Sequence, residues 1–458
     1  MRFARVVRYL LIATALLAAA ALVVACEEEE EEAAETPEAT TEAASPEASP
    51  EATTPAEAGE VPGVTDTEIL LGTHFPLSGN PAAAYAPIAD GMKAFFDYIN
   101  GQGGVYGREI TFLIEDDHYN PPDTVEVVRK LVEQDKVFAI VGGLGEETHN
   151  AVWKYLEERG IPDMFVTTGL AKWTDPVVRT RFGGNPDYVT EGIFLAEYIA
   201  ENYAGQKLGL LLQNDQLGQD GEKGLRAGLE GSDVEITAIE RYEAVANDVT
   251  AQTQRLQNAG VDVIAMFAMP VQGASLVRTA RETLNWDVPI ITTGINCSDI
   301  FIALAGPENV EGMMSYTFGH QAYETELPGT QKYEKIWAKT GSDGPLSNFA
   351  LYGMFVAELT TYIIELTGPD ITRDSFLDAA ESVCDFDCTT CFESGPVRLS
   401  PTDHRFAEYL IYNVVEDGKW KPVSDPVSYE STEDCEPPEL PPGFEDQPKV
   451  GKDAEFVP

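Results

Sequence analysis

From Thr67 onward the chain alternates short, β-branched apolar runs with longer stretches in which apolar residues recur every three to four positions. Strands are predicted at Glu68–Phe75, Glu109–Glu115, Val137–Val141 and Met164–Thr168, with helices between them at Pro87–Gln102, Pro122–Glu133 and Thr148–Arg159. A second series follows Gly183-Gly184-Asn185-Pro186. It has helices at 187–203, 221–230, 249–259 and 271–284 and strands at 207–212, 234–239, 261–267 and 288–292. Strand–helix alternation at a spacing of about 30 residues is the pattern of βαβ units in a parallel sheet. Two such series in succession predict two lobes, each with its own sheet. The pattern turns irregular near Met313–Tyr323. Helical periodicity returns at 329–339 and 348–366, and Phe406–Asn413 alternates like a late strand. Beyond about Asp425 the proline- and acid-rich tail reads as surface-hugging or mobile chain.

Charge narrows the function. The 458 residues carry 77 acidic and 30 basic side chains, a net charge of −47. Nucleic-acid binding requires a basic footprint, so that class is excluded. The start of the chain carries its own message. Arg2, Arg5 and Arg8 precede an apolar run from Leu10 to Val24. This is the layout of a secretory signal, and the run falls short of the ~20 residues of a comfortable membrane span. It ends in Val23-Val24-Ala25-Cys26, which resembles the bacterial lipobox; an ordinary signal or an uncleaved anchor is the alternative. On the lipobox reading, residues 1–25 are a lipoprotein signal peptide, and lipidation of Cys26 anchors the protein to the outer face of the cell membrane or in the periplasm. Residues 26–62 follow as an acidic Ala/Glu/Thr/Pro linker with 13 Glu and no Lys or Arg, unable to bury apolar surface and expected to be disordered.

Several loops then align with one family in order. Thr73-His74-Phe75-Pro76-Leu77-Ser78-Gly79 follows the first strand, Gly103-Gly104-Val105-Tyr106-Gly107-Arg108 the first helix, and Glu115-Asp116-Asp117 the second strand. Leu131-Val132-Glu133-Gln134-Asp135 and Val137-Phe138-Ala139-Ile140-Val141-Gly142-Gly143 complete the set. Across residues 66–420 the chain resembles the periplasmic leucine/isoleucine/valine-type binding proteins of ABC importers. The resemblance implies the type I two-lobed α/β fold: two Rossmann-like lobes, each a parallel-type sheet flanked by helices, joined by three crossovers. Lobe one is then 66–184 plus 318–398, lobe two 185–317 plus 400–425, and 426–458 the tail. Crossovers are placed near 181–186, 314–321 and 397–402, with ligand held in the cleft and hinged closure.

The resemblance also selects site residues, all in loops at strand carboxyl ends, where α/β sheets bind ligands. Ser78 and Tyr85 lie in the loop after strand one; Tyr85 matches an aromatic that covers the ligand, or else packs on its own lobe. Glu146 and Thr148 lie at a helix start, which suits a carboxylate cradle. Yet Glu146 and Glu147 stand where small hydroxyl residues are expected. They either repel an anionic ligand or point outward and favour the helix dipole. Thr167, Thr168 and Leu170 follow strand four and offer hydroxyls and amides. Asp215 is a ligand contact or a helix N-cap. Met269 replaces an aromatic. In the stretch Thr292–Asn296 amino-acid-binding relatives carry an acid for the ligand's ammonium. Here no carboxylate is present, though Asn296 can still hydrogen-bond, which favours an amide, a carboxylate or an aromatic compound over a simple α-amino acid.

Chemistry-like patterns elsewhere have simpler readings. Cys384-x3-Cys388-x2-Cys391 has the spacing of a radical-SAM cluster motif, but an exported chain favours a disulfide among the three, the pair left open. With Cys297 and Cys435 the folded part has five cysteines, so at least one thiol stays free in a monomer. Glu115-Asp116-Asp117-His118 reads as a solvated strand end and not as a metal cluster, because successive strand residues face opposite ways. No metal, cofactor or catalytic constellation is expected; the five histidines are scattered. The reading is a non-enzymatic, lipid-anchored solute-binding component of a branched-chain-amino-acid-type importer. Its partners are a small-molecule ligand (amino acid, amide or small carboxylate), ABC permease subunits and the membrane, and it acts as a monomer. A sensory receptor of the same fold is the alternative.

Overall fold

The computed structural model describes residues 61–79, 81–339, 344–429 and 435–458. The predicted leader, Cys26 and nearly all of the acidic linker lie outside the described residues.

Five strands, β1 (Glu68–Phe75), β2 (Glu109–Asp116), β3 (Ala139–Val141), β4 (Asp163–Val166) and β5 (Arg181–Gly183), form an all-parallel sheet in the order β2-β1-β3-β4-β5. A second sheet contains β6 (Lys207–Gln213), β7 (Glu235–Tyr242), β8 (Val263–Phe267), β9 (Ile290–Thr292), β10 (Met314–Thr317), β11 (Tyr409–Glu416) and β12 (Lys419–Pro422). Its order is β12-β11-β10-β9-β8-β6-β7, and β13 (Val427–Ser428) pairs with β11. Strands β6 to β10 are parallel; β11 and β12 run antiparallel at one edge. Every residue of β3, β4 and β8 is buried, the continuous apolar reading expected of a strand covered by helices on both faces. In each sheet the first strand sits between the second and third, so the loops leaving its carboxyl end diverge and open a crevice.

The chain passes between the sheets three times: after β5, after β10, and between Leu399 and Tyr409. The first and third passes are tied together, since Gly183 N donates to His404 O at 3.1 Å and the His404 ring stacks on Phe182. Between the second and third, helices Pro328–Lys339, Asn348–Thr367 and Arg373–Ala380 join the core behind the first sheet. Asn348–Thr367 is long and apolar enough to cross a bilayer, yet it is a core helix packed on Ala82–Asn100. Glycines set that close approach: a Cβ on Gly91 would lie 2.0 Å from Ala350 O, and one on Gly353 2.0 Å from Ile88 O.

Helix Ala82–Asn100 starts five residues before the predicted Pro87. Proline favours a first turn and so drew the boundary, but at the sixth position it costs one backbone hydrogen bond, which the buried face of the helix outweighs. The tail residues 435–458 lie against the first lobe. Phe456 stacks on Tyr98, Phe444 meets Tyr362, and Lys332 Nζ donates to Gly451 O at 2.8 Å. Cys388 pairs with Cys391, Cys384 pairs with Cys435 in that tail, and Cys297 is a buried free thiol. Asp117, read from sequence as part of a solvated strand end, is fully buried because a tertiary partner, His74, receives it.

Candidate functional site between the two sheets

A cavity of about 130 Å³ lies between the carboxyl ends of the two sheets. The first lobe contributes Tyr85 and Ile88 from the first helix, Tyr119 from the loop after β2, Leu144–Glu146 from the loop after β3, and Thr167. The second lobe contributes Tyr188 and Glu191 from helix Tyr188–Asn202, Met269, Gly294–Ile295 and Tyr316. Crossover residues Phe318–Gln321 and the face of helix Asn348–Thr367 with Phe349, Tyr352 and Phe355 close it. Several contacts bridge the lobes directly, among them Tyr85 Oη, 3.2 Å from Met269 Sδ, Tyr188 Oη, which donates to Glu146 Oε1 at 3.0 Å, and Asn348 Nδ2, which donates to Cys297 O at 3.3 Å.

Two carboxylates stand in this largely aromatic lining. Glu146 is 5% exposed and accepts from Tyr119 Oη (3.2 Å), Thr168 Oγ1 (3.1 Å) and Tyr188 Oη. Burial pushes its carboxyl above the usual range, and the charge of Asp215 adds to this; the hydroxyl donors pull the other way. Glu191, 1% exposed, accepts from Tyr316 Oη at 2.9 Å and Gly294 N at 3.3 Å. Its carboxyl is pushed up to about 7, chiefly by burial. Among the described residues the lining contains no Lys or Arg and one histidine, His320, which lies 3.2 Å from Glu324.

The loop carrying Glu146 rests on a buried chain of four residues. Asp117 Oδ2 lies 2.8 Å from His74 Nδ1, His74 Nε2 lies 3.0 Å from His149 Nδ1, and His149 Nε2 lies 2.8 Å from Asp163 Oδ2. A Cβ on Gly143 would meet both rings within 3.0 Å, so the loop lies directly on them.

The structure brings together Tyr85, Glu146, Thr167 and Met269 of the residues selected from sequence. Of the paired glutamates, Glu146 turns into the cavity and Glu147 faces solvent. Thr168 stands one step behind, bonded to Glu146. Thr148 donates to Leu144 O at 2.6 Å within its own loop, and Leu170 belongs to a core cluster of the second lobe. Asp215 caps helix Gln216–Gly228 through Leu217 N, and Ser78 is exposed. Asn296 is fully buried and donates to Ala268 O and Thr292 Oγ1, away from the lining. A carboxylate does stand against the Thr292–Asn296 stretch, that of Glu191, which accepts the Gly294 amide. Sequence reasoning missed it because residue 191 lies 103 positions from 294, on a helix face with no distinguishing pattern. Tyr119, Tyr188, Tyr316 and Tyr352 were likewise illegible.

Residues 68–419 match the profile of the periplasmic binding protein family. The chain belongs to that family. Its members bind solutes and are not enzymes. This periplasmic binding protein is 25% identical over 259 residues to an amino acid binding protein of Pseudomonas aeruginosa, covering 55% of the chain and 67% of that relative. It is 25% identical over 257 residues to Leu/Ile/Val-binding protein homolog 2 of Brucella abortus, covering 56% and 68%. Among solved structures, a Thermus thermophilus branched chain amino acid ABC transporter protein with bound valine superposes with a TM-score of 0.71 at 20% identity, covering 80% of this chain and 97% of that one. A fatty acid ABC transporter substrate-binding protein from Thermomonospora curvata gives a TM-score of 0.70 at 22% identity, covering 81% and 95%. These likenesses establish the two-lobed fold.

Proposed function

We propose that this periplasmic binding protein is the extracytoplasmic receptor of a branched-chain-amino-acid-type ABC importer. It captures a small solute in the cleft, closes on it, and delivers it to a permease. The observation that carries this reading is the cavity itself, lined from both lobes and crossed by the Tyr85–Met269 and Tyr188–Glu146 contacts. Contacts made from both sides are available only when the lobes approach, so bound solute favours the closed form. The closing bodies are residues 66–184 with 318–398 and residues 185–317 with 400–425. Tyr85, Glu146, Thr167 and Met269, joined by Glu191, Tyr188 and Tyr316, are the ligand contacts. Lipid on Cys26 holds the receptor at the membrane, and the acidic linker gives it reach. The relatives named for amino acid binding support the importer class.

The test is small-angle scattering of the full chain with and without solute, beside fractionation of Cys26→Ala. Compaction on binding and release of the variant from membranes are expected. Binding without any change in radius would remove hinge closure from the reading, and unchanged membrane retention would remove the lipid anchor.

A further inference from the structure

The cavity holds two buried carboxylates and no cationic side chain to match them. Buried charge is costly unless it is paired. Glu146 and Glu191 are both supplied with hydrogen-bond donors, three on the first and two on the second, which makes them acceptors for charge and not merely packed acids. Lys172 feels the field of Glu146, but its ammonium donates to Asn150 Oδ1 at 2.6 Å, outside the lining. The missing positive charge must come from protons or from the bound solute.

The remaining surface suits the same solute. Tyr85, Tyr119, Tyr188, Tyr316 and Tyr352 line the cavity, and aromatic faces attract a desolvated ammonium. A free carboxylate on the ligand would find no Lys or Arg and two like charges. An α-amino acid brings one charge of each sign and adds no net positive charge to the cavity; an amine adds one.

Resting on the receptor reading above, we propose that the solute is an organic amine cation without a carboxylate, its ammonium held by Glu191 or Glu146 and its apolar body by the tyrosine and phenylalanine walls. A diamine of matching length engages both carboxylates. A proton that Glu191, pushed up to about 7 by burial, holds without ligand is displaced when the ammonium pairs with it, so uptake of the amine at that carboxylate releases a proton to the buffer.

The experiment uses the full chain, freed of co-purified solute by exhaustive dialysis, and two matched series in calorimetry. L-Leucine is compared with isoamylamine and 4-methylpentanoate, and L-tyrosine with tyramine and 3-(4-hydroxyphenyl)propanoate; 1,5-diaminopentane is added. Within at least one series the amine is expected to bind tenfold or more tighter than its amino acid and its acid, with proton release at pH 6. Glu146→Gln or Glu191→Gln, whichever removes the carboxylate that holds the ammonium, weakens the amine at least tenfold, whereas Glu147→Gln, on the exposed neighbour, leaves it unchanged. Tighter binding of an amino acid or an acid overturns the amine assignment and leaves the receptor reading standing. Equal amine binding by both cavity variants also overturns it. Absence of binding by every member overturns the assignment together with the receptor reading.

Discussion

Glu146, on the first wall, takes one of its three hydrogen bonds from Tyr188, a residue of the opposite lobe. Glu191, on the second wall, takes both of its bonds, from Tyr316 and Gly294, within its own lobe. The first carboxylate therefore draws on both lobes and the second on one. Under the hinge closure proposed above, solute would meet the finished wall first and gain the other contact on closing. The bodies behind the walls differ as well. The first lobe carries both disulfides and the strapped tail, where Glu358, fully buried, accepts from Tyr333 Oη, Thr389 N and Gly451 N. The second lobe carries Cys297 as a buried thiol.

The largest expected effect breaks the stapled side of this comparison. Replacing Cys384 and Cys435 together by Ser opens a loop of 51 residues. It should cost about 2–4 kcal/mol, measured by denaturant titration. Hydrogen exchange should quicken in residues 435–458 and around Glu358 while β6–β9 stay protected; uniform loosening would deny that the staple is local to the first lobe.

Next comes the carboxylate of the finished wall. Glu191 sits at about 7 in the folded chain against an ordinary 4.5, mainly because it is buried. Between those values the folded state keeps a proton that the unfolded chain has lost, so this group's contribution to stability falls as pH rises from 4.5 to 7 and is constant above. Glu191→Gln, neutral throughout, should gain on the wild type over that window by roughly 3 kcal/mol in ligand-free protein. Parallel stability curves for the two proteins from pH 4.5 to 7.5 would contradict it.

Two hydroxyl deletions sharpen the contrast further. Tyr316→Phe leaves Glu191 short of a donor in every state and should cost about 1.5–3 kcal/mol of stability without ligand. Tyr188→Phe should cost less than 1 kcal/mol in the absence of solute, where water can reach Glu146 in an open cleft, and should weaken binding several-fold. Equal stability losses in the two variants would erase the distinction between finished and unfinished walls. The smallest effect is Tyr85→Phe, which removes only the hydroxyl facing Met269 Sδ and should change melting by less than the equivalent of about 0.5 kcal/mol.

The alternating pattern was sufficient for the architecture. β1 was read at its observed bounds, and helix Asn348–Thr367 within one residue, because a period of 2 or 3.6 registers burial against a neighbour whatever that neighbour is. Two short strands escaped: β5, with three residues at the edge of its sheet, was read only as a crossover, and β10, with four, lies where the pattern looked irregular. The loops at the strand ends were also legible, and four of the residues drawn from them line the cavity.

Sequence by itself thus determined the two sheets, their succession and the end of each at which a solute can sit, since all three follow from local periodicity and strand direction. Tertiary structure alone decided the chemistry of the site. It placed Glu191 against Gly294 across 103 residues, joined His74 to His149 across 75, turned Glu146 inward and Glu147 outward, and linked Cys384 to Cys435. The physical reason is that a charge or a hydrogen bond acts through space. Its partner is chosen by where the sheets bring the chain together, and no local pattern records that choice.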